Sequence, residues 1–440
     1  MSEVLGPVAA IVLALLAVGY FAQSRLPPPK PVIIGIDLGT TFSCVGVYHA
    51  ISGNVSVLED VSGNKLVPSA VYLGKQPPLI GYPALELREL YPNLVVYDAK
   101  RFIGKRNIRE SSIQRQQKLY PFKIKLDDEG KAVFALVVKD NVSYYQPEDI
   151  GAFILSKLKR TAEKLIERKI SMAVISVPAE FNSLQRNATV EAGRRAGLKV
   201  MRVINEPTAA ALAYGLHKKK GISYVLVVDF GGGTFDVSLL NIQGGMFYTM
   251  AMAGNNRLGG QDINQNLVDY LVNVVTKEIG LEKLEGLHLQ QVRTEVENVK
   301  INLSNSDWVD INMNFKSLAK DGTDYNFSHR VTRYIFEQIN QDVFKKILIP
   351  IKRVLKEVEM NEDEIDEIVL VGGSTRIPKV RQIIHNFFRK KPNIAVDPEL
   401  AVVSGVAIQA GILGGMWPLR VAVVELPTSN IQKIEVGEEL

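Results

Sequence analysis

The sequence has very little cysteine and histidine for its length. Cys44 is the one cysteine among 440 residues, so an intrachain disulfide and a cysteine-based metal site are both excluded. The five histidines are scattered and form no H-E-x-x-H motif, which leaves no zinc-site signature. The sequence therefore gives no reason to expect a disulfide framework or a zinc enzyme.

Other common signatures are missing too. We find no Walker A loop, no G-x-S-x-G and no G-x-G-x-x-G motif. The 52 basic and 47 acidic residues give a net charge of only +5, which is too weak to indicate nucleic-acid binding. A hydrophobic content of 46% and a charged content of 22% are ordinary for globular proteins and argue against a disordered chain. The length corresponds to roughly three domains.

Charge is also missing from a long stretch near the N-terminus. Leu5–Ala22 is uncharged, and its length lies between that of a signal-peptide core and that of a membrane helix. Prolines at 27–29 end any helix there. We expect residues 1–30 to be a signal peptide or a membrane anchor. The acidic residue before the apolar run and the basic residues after it leave cleavage and orientation open.

Possible glycosylation sites are present but do not identify the compartment. Five Asn-x-Ser/Thr sequons occur, at Asn54, Asn141, Asn187, Asn302 and Asn326. They carry sugar only if the body of the protein is lumenal, and chance sequons are common. A single cysteine fits either compartment.

After residue 31, short β-rich runs alternate with helical patterns. Four continuous apolar runs predict strands buried on both faces of a sheet, at Val32–Asp37, Met172–Val177, Tyr224–Asp229 and Glu367–Val371. Thr234–Leu240 alternates, which predicts a half-exposed strand beside them. The pattern predicts an α/β fold.

A distant internal repeat organises the chain. Asp37–Thr41 and Asp229–Thr234 each place Asp-x-Gly and a threonine directly after a buried strand, about 190 residues apart. Two similar halves around one cleft explain this repeat most simply. We predict a first lobe over 31–218 and a second lobe over 219–415, with a polar break near Gly215–Gly221.

The two repeated turns have the chemistry of a phosphate site. Glycines allow backbone N–H groups to approach a phosphate closely, and threonine hydroxyls add donors. The carboxylates of Asp37 and Asp229 would repel a phosphate unless a hydrated Mg²⁺ lay between them. The alternative is that each Asp-Gly marks a plain β-turn. The pair of turns favours phosphate, with both aspartates as magnesium ligands through water.

A third glycine turn and a helix together suggest a binding surface for the base of a nucleotide. Val371–Arg376 follows a buried strand, and the guanidinium of Arg376 could lie flat against a base. A helix is predicted over Gln291–Ser304. Three of its polar residues share a face: Glu297, Lys300 and Ser304. The alternative for this polar stripe is a solvated helix face.

Seven segments together resemble the ATPase domain of the seventy-kilodalton heat-shock (DnaK-type) chaperone family. They are Gly35–Thr41, Asp98–Gly104, Val177–Asn182, Asn205–Ala211, Asp229–Asp236, Leu258–Gly260 and Val371–Pro378. They run in the family's order across roughly residues 32–415. The resemblance implies an actin-like ATPase fold, with two lobes of duplicated mixed-sheet subdomains around a nucleotide cleft that holds ATP and Mg²⁺.

The resemblance also implies roles for individual residues. The phosphate-binding residues are Gly39, Thr40, Thr41, Gly231, Gly232, Gly233 and Thr234. The catalytic residues are Lys100, which positions the attacking water, together with Glu206, Asp229 and Thr234. The adenosine-binding residues are Gly260, Glu297, Lys300, Ser304, Gly373, Ser374 and Arg376. Mg²⁺ is held through water by Asp37 and Asp229, and K⁺ is a further candidate ion.

The sequence departs from the family's pattern at informative positions. Ile301 stands where the family usually has one of two arginines that sandwich the base, which weakens stacking by about 1 kcal/mol. Members of the family have a set of residues that couples the nucleotide site to a substrate domain. At those positions, Pro178 and Arg186 match the family. Glu180 and Ser183 replace the usual Tyr and Asp. We therefore expect altered coupling to a substrate domain.

The C-terminal region is short. Twenty-five residues follow Gly415, too few for a peptide-binding domain, so we predict that 416–440 is a tail. Val421–Pro427 fits a remnant of the family's linker and a packed terminal strand equally well. An apolar N-terminus without a substrate domain resembles the microsomal branch of the family. This implies a location in the endoplasmic reticulum lumen or microsomes.

These observations predict a chaperone-type ATPase core that turns over slowly and is not stimulated by peptide. It would act through nucleotide-dependent contacts with other proteins. J-domain co-chaperones, for which Arg194 matches a family contact position, and nucleotide-exchange factors are candidate partners. We expect no nucleic-acid partner, and membrane contact only through the N-terminal segment. The alternative is a nucleotide-sensing binding module with negligible turnover.

Overall fold

The computed structural model describes residues 32–415 except 107, 139–140 and 320–321, together with Ala14, 424–425 and 433–435. The predicted signal peptide or anchor at 1–30 lies outside the described residues apart from Ala14, as does most of the predicted tail at 416–440. Among the residues that are described, no helix has the length and apolar character needed to span a membrane.

Twenty strands occur in the described residues and are numbered in chain order. The first ten are β1 (Ile33–Leu38), β2 (Phe42–His49), β3 (Asn54–Val57), β4 (Val67–Pro68), β5 (Val71–Tyr72), β6 (Leu79–Ile80), β7 (Val95–Val96), β8 (Lys123–Leu126), β9 (Ala132–Val138) and β10 (Asn141–Tyr145). The others are β11 (Met172–Val177), β12 (Lys199–Asn205), β13 (Tyr224–Phe230), β14 (Phe235–Gln243), β15 (Met246–Asn255), β16 (Trp308–Phe315), β17 (Tyr325–Thr332), β18 (Glu367–Val371), β19 (Val424–Glu425) and β20 (Ile434–Glu435).

The α-helices of the described residues are numbered in the same way. They are α1 (Tyr82–Leu85), α2 (Glu110–Gln117), α3 (Pro147–Ile166), α4 (Ser183–Arg195), α5 (Glu206–Ala213), α6 (Gly260–Ile279), α7 (Gly286–Leu303), α8 (Arg333–Ile339), α9 (Gln341–Lys346), α10 (Leu348–Glu357), α11 (Pro378–Phe388) and α12 (Ala401–Leu413). Short 3-10 helices lie at Pro92–Leu94, Ala99–Arg101, Leu216–Lys218, Glu362–Glu364 and Gly373–Arg376.

Two large mixed sheets repeat one arrangement. In the first sheet the strand order is β12-β11-β1-β2-β3, with β1 parallel to β11 and antiparallel to β2. In the second sheet the order is β18-β13-β14-β15-β19, with β13 parallel to β18 and antiparallel to β14. The hairpins β1–β2 and β13–β14 therefore have equivalent surroundings. This confirms the predicted α/β fold with two duplicated mixed sheets.

The continuous apolar runs are buried because both faces of each sheet are covered by helices or by other parts of the core. One strand differs from its prediction. The predicted half-exposed strand at 234–240 is β14, and it is buried on both sides. Leu239 packs in the core of the second sheet, whereas Leu240 packs in a core shared by both sheets. The alternating pattern failed because Ser238, although polar, is also buried.

The shared core joins the two sheets at their base. It contains Ile33 of β1, Val174 of β11 and Val227 of β13, together with residues of α5 and α12. Helix α12 follows the second sheet in the chain, but it packs against α5, β1 and β2. The division into lobes at 31–218 and 219–415 stays a prediction. A helix from that range completes the packing of the first sheet.

Candidate active site

The tips of the two repeated hairpins meet at a large cleft. Its volume is about 1750 Å³. All seven residues predicted to bind phosphates line it: Gly39, Thr40, Thr41, Gly231, Gly232, Gly233 and Thr234. A Cβ atom added to Gly232 would lie 2.9 Å from the Thr41 Oγ1 atom, so the tips are in close contact. The internal repeat thus places both turns at one site.

Neighbouring backbone atoms hold the two turns in shape. In the first turn, a Cβ at Gly39 would clash with the carbonyl oxygen of Phe42, and the Gly39 carbonyl accepts a 2.8 Å hydrogen bond from Ser69 Oγ. In the second turn, the carbonyl of Gly231 accepts a hydrogen bond of 3.0 Å from the Gly260 N–H at the start of α6. The backbone therefore passes close to the cleft with little side-chain bulk.

A charged cluster lies beside the turns. Lys100 Nζ donates a 2.6 Å hydrogen bond to Glu206 Oε1, and Ser176 Oγ donates one of 2.7 Å to Asp37 Oδ1. Burial lowers the pKa of Lys100, but Glu206 and Asp37 more than offset this, and the pKa is raised overall. Lys100 therefore stays charged. Asp37, Lys100, Glu206 and Asp229 all line the cleft, as predicted.

The positive charge of Lys100 does not fully offset the effect of burial and of neighbouring negative charges on the carboxyl groups of this cluster. Burial raises the pKa of Glu206 to about 7, against the opposing charge of Lys100. Burial also raises the pKa of Asp37. The pKa of Asp229 is raised well above its usual value, first by burial and then by the neighbouring Asp236 and Glu206. The site therefore favours an additional cation.

The oxygen donors suit a hydrated divalent cation. Asp37 and Asp229 end β1 and β13 on either side of the cleft, and carboxylates are ligands that Mg²⁺ prefers. Within the described ranges, no group of three or more His, Cys, Asp or Glu side chains could hold a metal ion. The role of Asp37 and Asp229 as magnesium ligands through water stays a prediction.

Comparison with known proteins agrees with this geometry. The family model described as Hsp70 protein matches residues 33–428. The chain is 46% identical to heat shock 70 kDa protein 13 of Rattus norvegicus and 45% identical to the proteins of that name in Homo sapiens and Bos taurus. Each alignment covers 96% of this chain and 97% of the relative.

The chain belongs to the Hsp70 family. Hsp70 ATPase domains have the actin-like fold, so the predictions of the family and of the fold are both confirmed. The family consists of ATP-binding, chaperone-type proteins that generally use Mg²⁺ with the nucleotide. Its members also generally bind co-chaperones.

The structure brings some of the predicted adenosine residues together. A Cβ at Gly260 would lie 2.7 Å from Ser374 Oγ and 3.3 Å from Lys300 Nζ. Lys300 Nζ also donates a 2.9 Å hydrogen bond to Glu297 Oε2, and Ser374 Oγ donates one of 3.0 Å to the Gly231 carbonyl. The third glycine turn is thus tied to the second phosphate turn of this Hsp70 protein.

Other predicted adenosine residues have different contacts. Ser304 Oγ donates to the Lys300 carbonyl within α7. Arg376 pairs with Asp397 and, at 3.2 Å, with Glu399. Of the seven residues, Gly373 lines the cleft described above. The adenosine role of the group stays a prediction.

The structure also reveals polar residues that were not singled out from the sequence. Arg101 Nη1 donates a 2.9 Å hydrogen bond to the Asn256 carbonyl, and its Nη2 donates one of 3.2 Å to the Gly233 carbonyl. It thereby links the first half of the chain to the second phosphate turn. Ser176, which holds Asp37, was detectable as a polar residue inside a buried apolar strand. Arg101 had no comparable signal, because its partners lie far away in the sequence.

Proposed function

We propose that this chain hydrolyses ATP to ADP and phosphate in the cleft between the two glycine–threonine turns. The observation that carries the proposal is the partly buried ion pair of Lys100 and Glu206, 2.6 Å long, beside Asp37 and Asp229, whose pKa values are raised by burial. Hydrolysis of a phosphoanhydride depends on positioning and charge neutralisation more than on covalent chemistry. This cluster offers both.

Each group has a role that its contacts support. The turns at 39–41 and 231–234 hold the triphosphate from opposite sides. Lys100, fixed by Glu206, orients the attacking water near the γ-phosphate with its permanent charge. Mg²⁺, when bound through water to Asp37 and Asp229, supplies positive charge to the phosphate oxygens. Thr234 lies in the turn and adds a hydroxyl donor. K⁺ stays a prediction.

We further propose that turnover is slow, is not stimulated by unfolded peptide and serves nucleotide-dependent contacts with other proteins. Glu180 and Ser183, which replace two of the family's usual coupling residues, support the absence of peptide stimulation. J-domain co-chaperones and nucleotide-exchange factors are the proposed partners. Arg194, the proposed J-domain contact, is exposed and pairs with Glu191 at 2.7 Å.

We also propose a location in the endoplasmic reticulum lumen or microsomes, with an N-terminal signal or anchor and attached sugar. The exposure of all five sequon asparagines supports the glycosylation part of this proposal. Treatment of the cellular protein with an N-glycosidase should increase its electrophoretic mobility. An unchanged mobility together with cytosolic fractionation would contradict the lumenal location.

A nucleotide-sensing module with negligible turnover is the second candidate. Two observations favour it. Arg376 is engaged by two acidic residues, and Ile301 is 53% exposed where a base-stacking arginine is expected. Both would weaken binding of the base. Neither the ion pairs of Arg376 nor the exposed Ile301 changes the charged cluster around Lys100. We therefore favour the ATPase over the sensing module.

Single-turnover hydrolysis separates the two candidates. Full-length wild-type protein with Mg²⁺ and limiting labelled ATP should release phosphate, and Lys100→Ala should slow that release by about a hundredfold or more because a preorganised charge is lost. Nucleotide binding by the variant should persist. Lys277→Ala, at an exposed position of α6, is the matched control and should match wild type. Absence of phosphate release by the wild type would favour the sensing module, and equal rates for Lys100→Ala would remove Lys100 from the mechanism.

A further inference from the structure

A segment close to the C-terminus lies in the cleft. Strand β20 pairs in parallel with β15, so that Ile434 lies beside Ala253 and Glu435 beside Gly254. Lys433, directly before this strand, and Glu435 both line the cleft. Strand β19 pairs with the same edge of β15 nearer its start. Of the 421–427 region only 424–425 are described, so the choice between a linker remnant and a terminal strand stays open.

The Lys433 side chain connects the two halves of the molecule. It is only 6% exposed. Its Nζ atom lies 3.4 Å from Glu180 Oε1, which follows β11 of the first sheet. The same atom pairs with Asp236 of β14 and donates a 2.9 Å hydrogen bond to Asn256 Oδ1. One ammonium group thus touches both sides of the cleft.

The charge of Lys433 is matched to its surroundings. Burial lowers its pKa, but the carboxylates of Asp236 and Glu180 outweigh burial and raise it. Asp236 is also the neighbouring charge that most strongly raises the pKa of Asp229. Lys433 therefore neutralises negative charge directly beside the carboxylate predicted to face Mg²⁺ and phosphate.

The same strand supports the second phosphate turn. Asn256 donates a hydrogen bond to Glu435, and its carbonyl accepts the 2.9 Å bond from Arg101, which in turn reaches Gly233. Gly254 leaves room for this arrangement, since a Cβ there would lie 2.5 Å from Lys433 Cε and would clash with Asp236. The segment at 433–435, Arg101 and the turn form one connected polar network.

We propose that Lys433 is a positioning residue of the nucleotide site. It links Glu180, which follows β11, to Asp236 and Asn256 beside the second phosphate turn, and it offsets the charge of Asp236. This inference rests on the proposed function, because it assumes that a nucleotide occupies the cleft. Lys433 reaches the first half of the chain through Glu180, which stands where the family usually has a tyrosine. The acidic residue at this position therefore has an ion-pair partner, Lys433, in the same chain.

Calorimetric titration of the full chain with MgADP and MgATP tests the proposal. Lys433→Met should weaken both affinities about tenfold, because a buried carboxylate loses its partner. Lys433→Arg should keep affinity within about twofold of wild type. Adding Asp236→Asn to Lys433→Met should recover most of the loss, since the unpaired charge is then gone. A lysine that only stabilises the fold would lower the unfolding temperature of Lys433→Met without changing its nucleotide affinity.

The outcomes are distinct. Lys433→Met with wild-type affinity, or without rescue by Asp236→Asn, overturns the proposal, provided thermal unfolding shows that the variants are folded. Lys277→Ala serves again as the control. Nucleotide binding without hydrolysis by the wild type overturns only the proposed ATPase activity, because the Lys433 effect is read from binding. A wild-type chain that binds neither nucleotide overturns both.

Discussion

At the scale of single residues, Glu206 shows how burial in the cleft changes the pKa of a carboxyl group and, with it, the stability of the fold. Its carboxyl is largely buried, and its pKa is raised to about 7 even though Lys100 lies 2.6 Å away. In the unfolded chain the same carboxyl titrates near 4.5. The native protein therefore binds a proton more tightly than the unfolded chain does between these two values. The protonated form of Glu206 favours folding.

This difference fixes the sign of a pH dependence. The stabilisation from Glu206 is fully present below about pH 4.5 and is lost as the pH rises through about 7. We expect the free energy of unfolding of the nucleotide-free protein to fall between pH 5 and pH 7.5, by an amount on the order of 1–3 kcal/mol. Denaturant unfolding at both pH values measures it.

A variant isolates the contribution of this residue. Glu206→Gln should reduce the decrease between the two pH values but not abolish it, because Asp37 and Asp229, whose pKa values burial also raises, still contribute. Glu282→Gln, at an exposed position, should leave the decrease unchanged. Comparing variants cancels the opposite contribution of His217, whose pKa burial lowers to about 4. A decrease in Glu206→Gln as steep as in wild type would contradict the assignment.

At the scale of elements, the contact of α12 with α5 depends on glycine. A Cβ at Gly405 would lie 2.8 Å from the Cα atom of Ala209 and closer still to the Ala209 carbonyl group. The alanines at 209–211 of α5 allow the same approach from the other side. This packing matters for the site because Glu206, the partner of Lys100, begins α5.

Gly405→Ala should therefore destabilise the fold although alanine favours helices. We expect a loss of about 1–3 kcal/mol in the free energy of unfolding, because added volume in a close-packed contact forces a backbone shift. Ser404→Ala, on the same helix, is the control and should change stability by less than about 0.5 kcal/mol. A Gly405→Ala variant as stable as wild type would show that the helices separate at little cost.

Elements and turns were the most predictable part of the structure. The apolar runs became β1, β11, β13 and β18, and the helix predicted at 291–304 is α7, which begins five residues earlier. The local pattern of apolar residues was enough to predict these strands, because they are buried on both faces. The burial of β14 and the position of α12 were not predictable, since both depend on packing between segments far apart in the chain.

The site was predictable to a similar extent. The Asp-x-Gly turns carry a local signature, and Lys100 and Glu206 came from the family resemblance. Arg101 and Lys433 were missed because nothing near them in the sequence indicates a partner. Arg101 bonds to a residue 155 positions away, and Lys433 to residues 177 and 253 positions away. Such contacts are set by how the two halves meet.

At the scale of the whole molecule, the two halves are joined in two different ways. A shared apolar core containing Ile33, Val227 and α12 joins them at the base. At the cleft they are joined by polar contacts of Arg101 and Lys433. Apolar packing is non-directional, whereas these polar contacts depend on the distance between the sheets. We expect changes in cleft width to break the polar contacts before the base separates.

The proposed ATPase activity depends on where a nucleotide binds. The most direct measurement is a crystal structure of the full chain with Mg²⁺ and a non-hydrolysable ATP analogue. We predict the phosphates between the turns at 39–41 and 231–234, with the metal facing Asp37 and Asp229 through water molecules. Phosphate density at any other place, or a metal held away from both aspartates, would contradict the account.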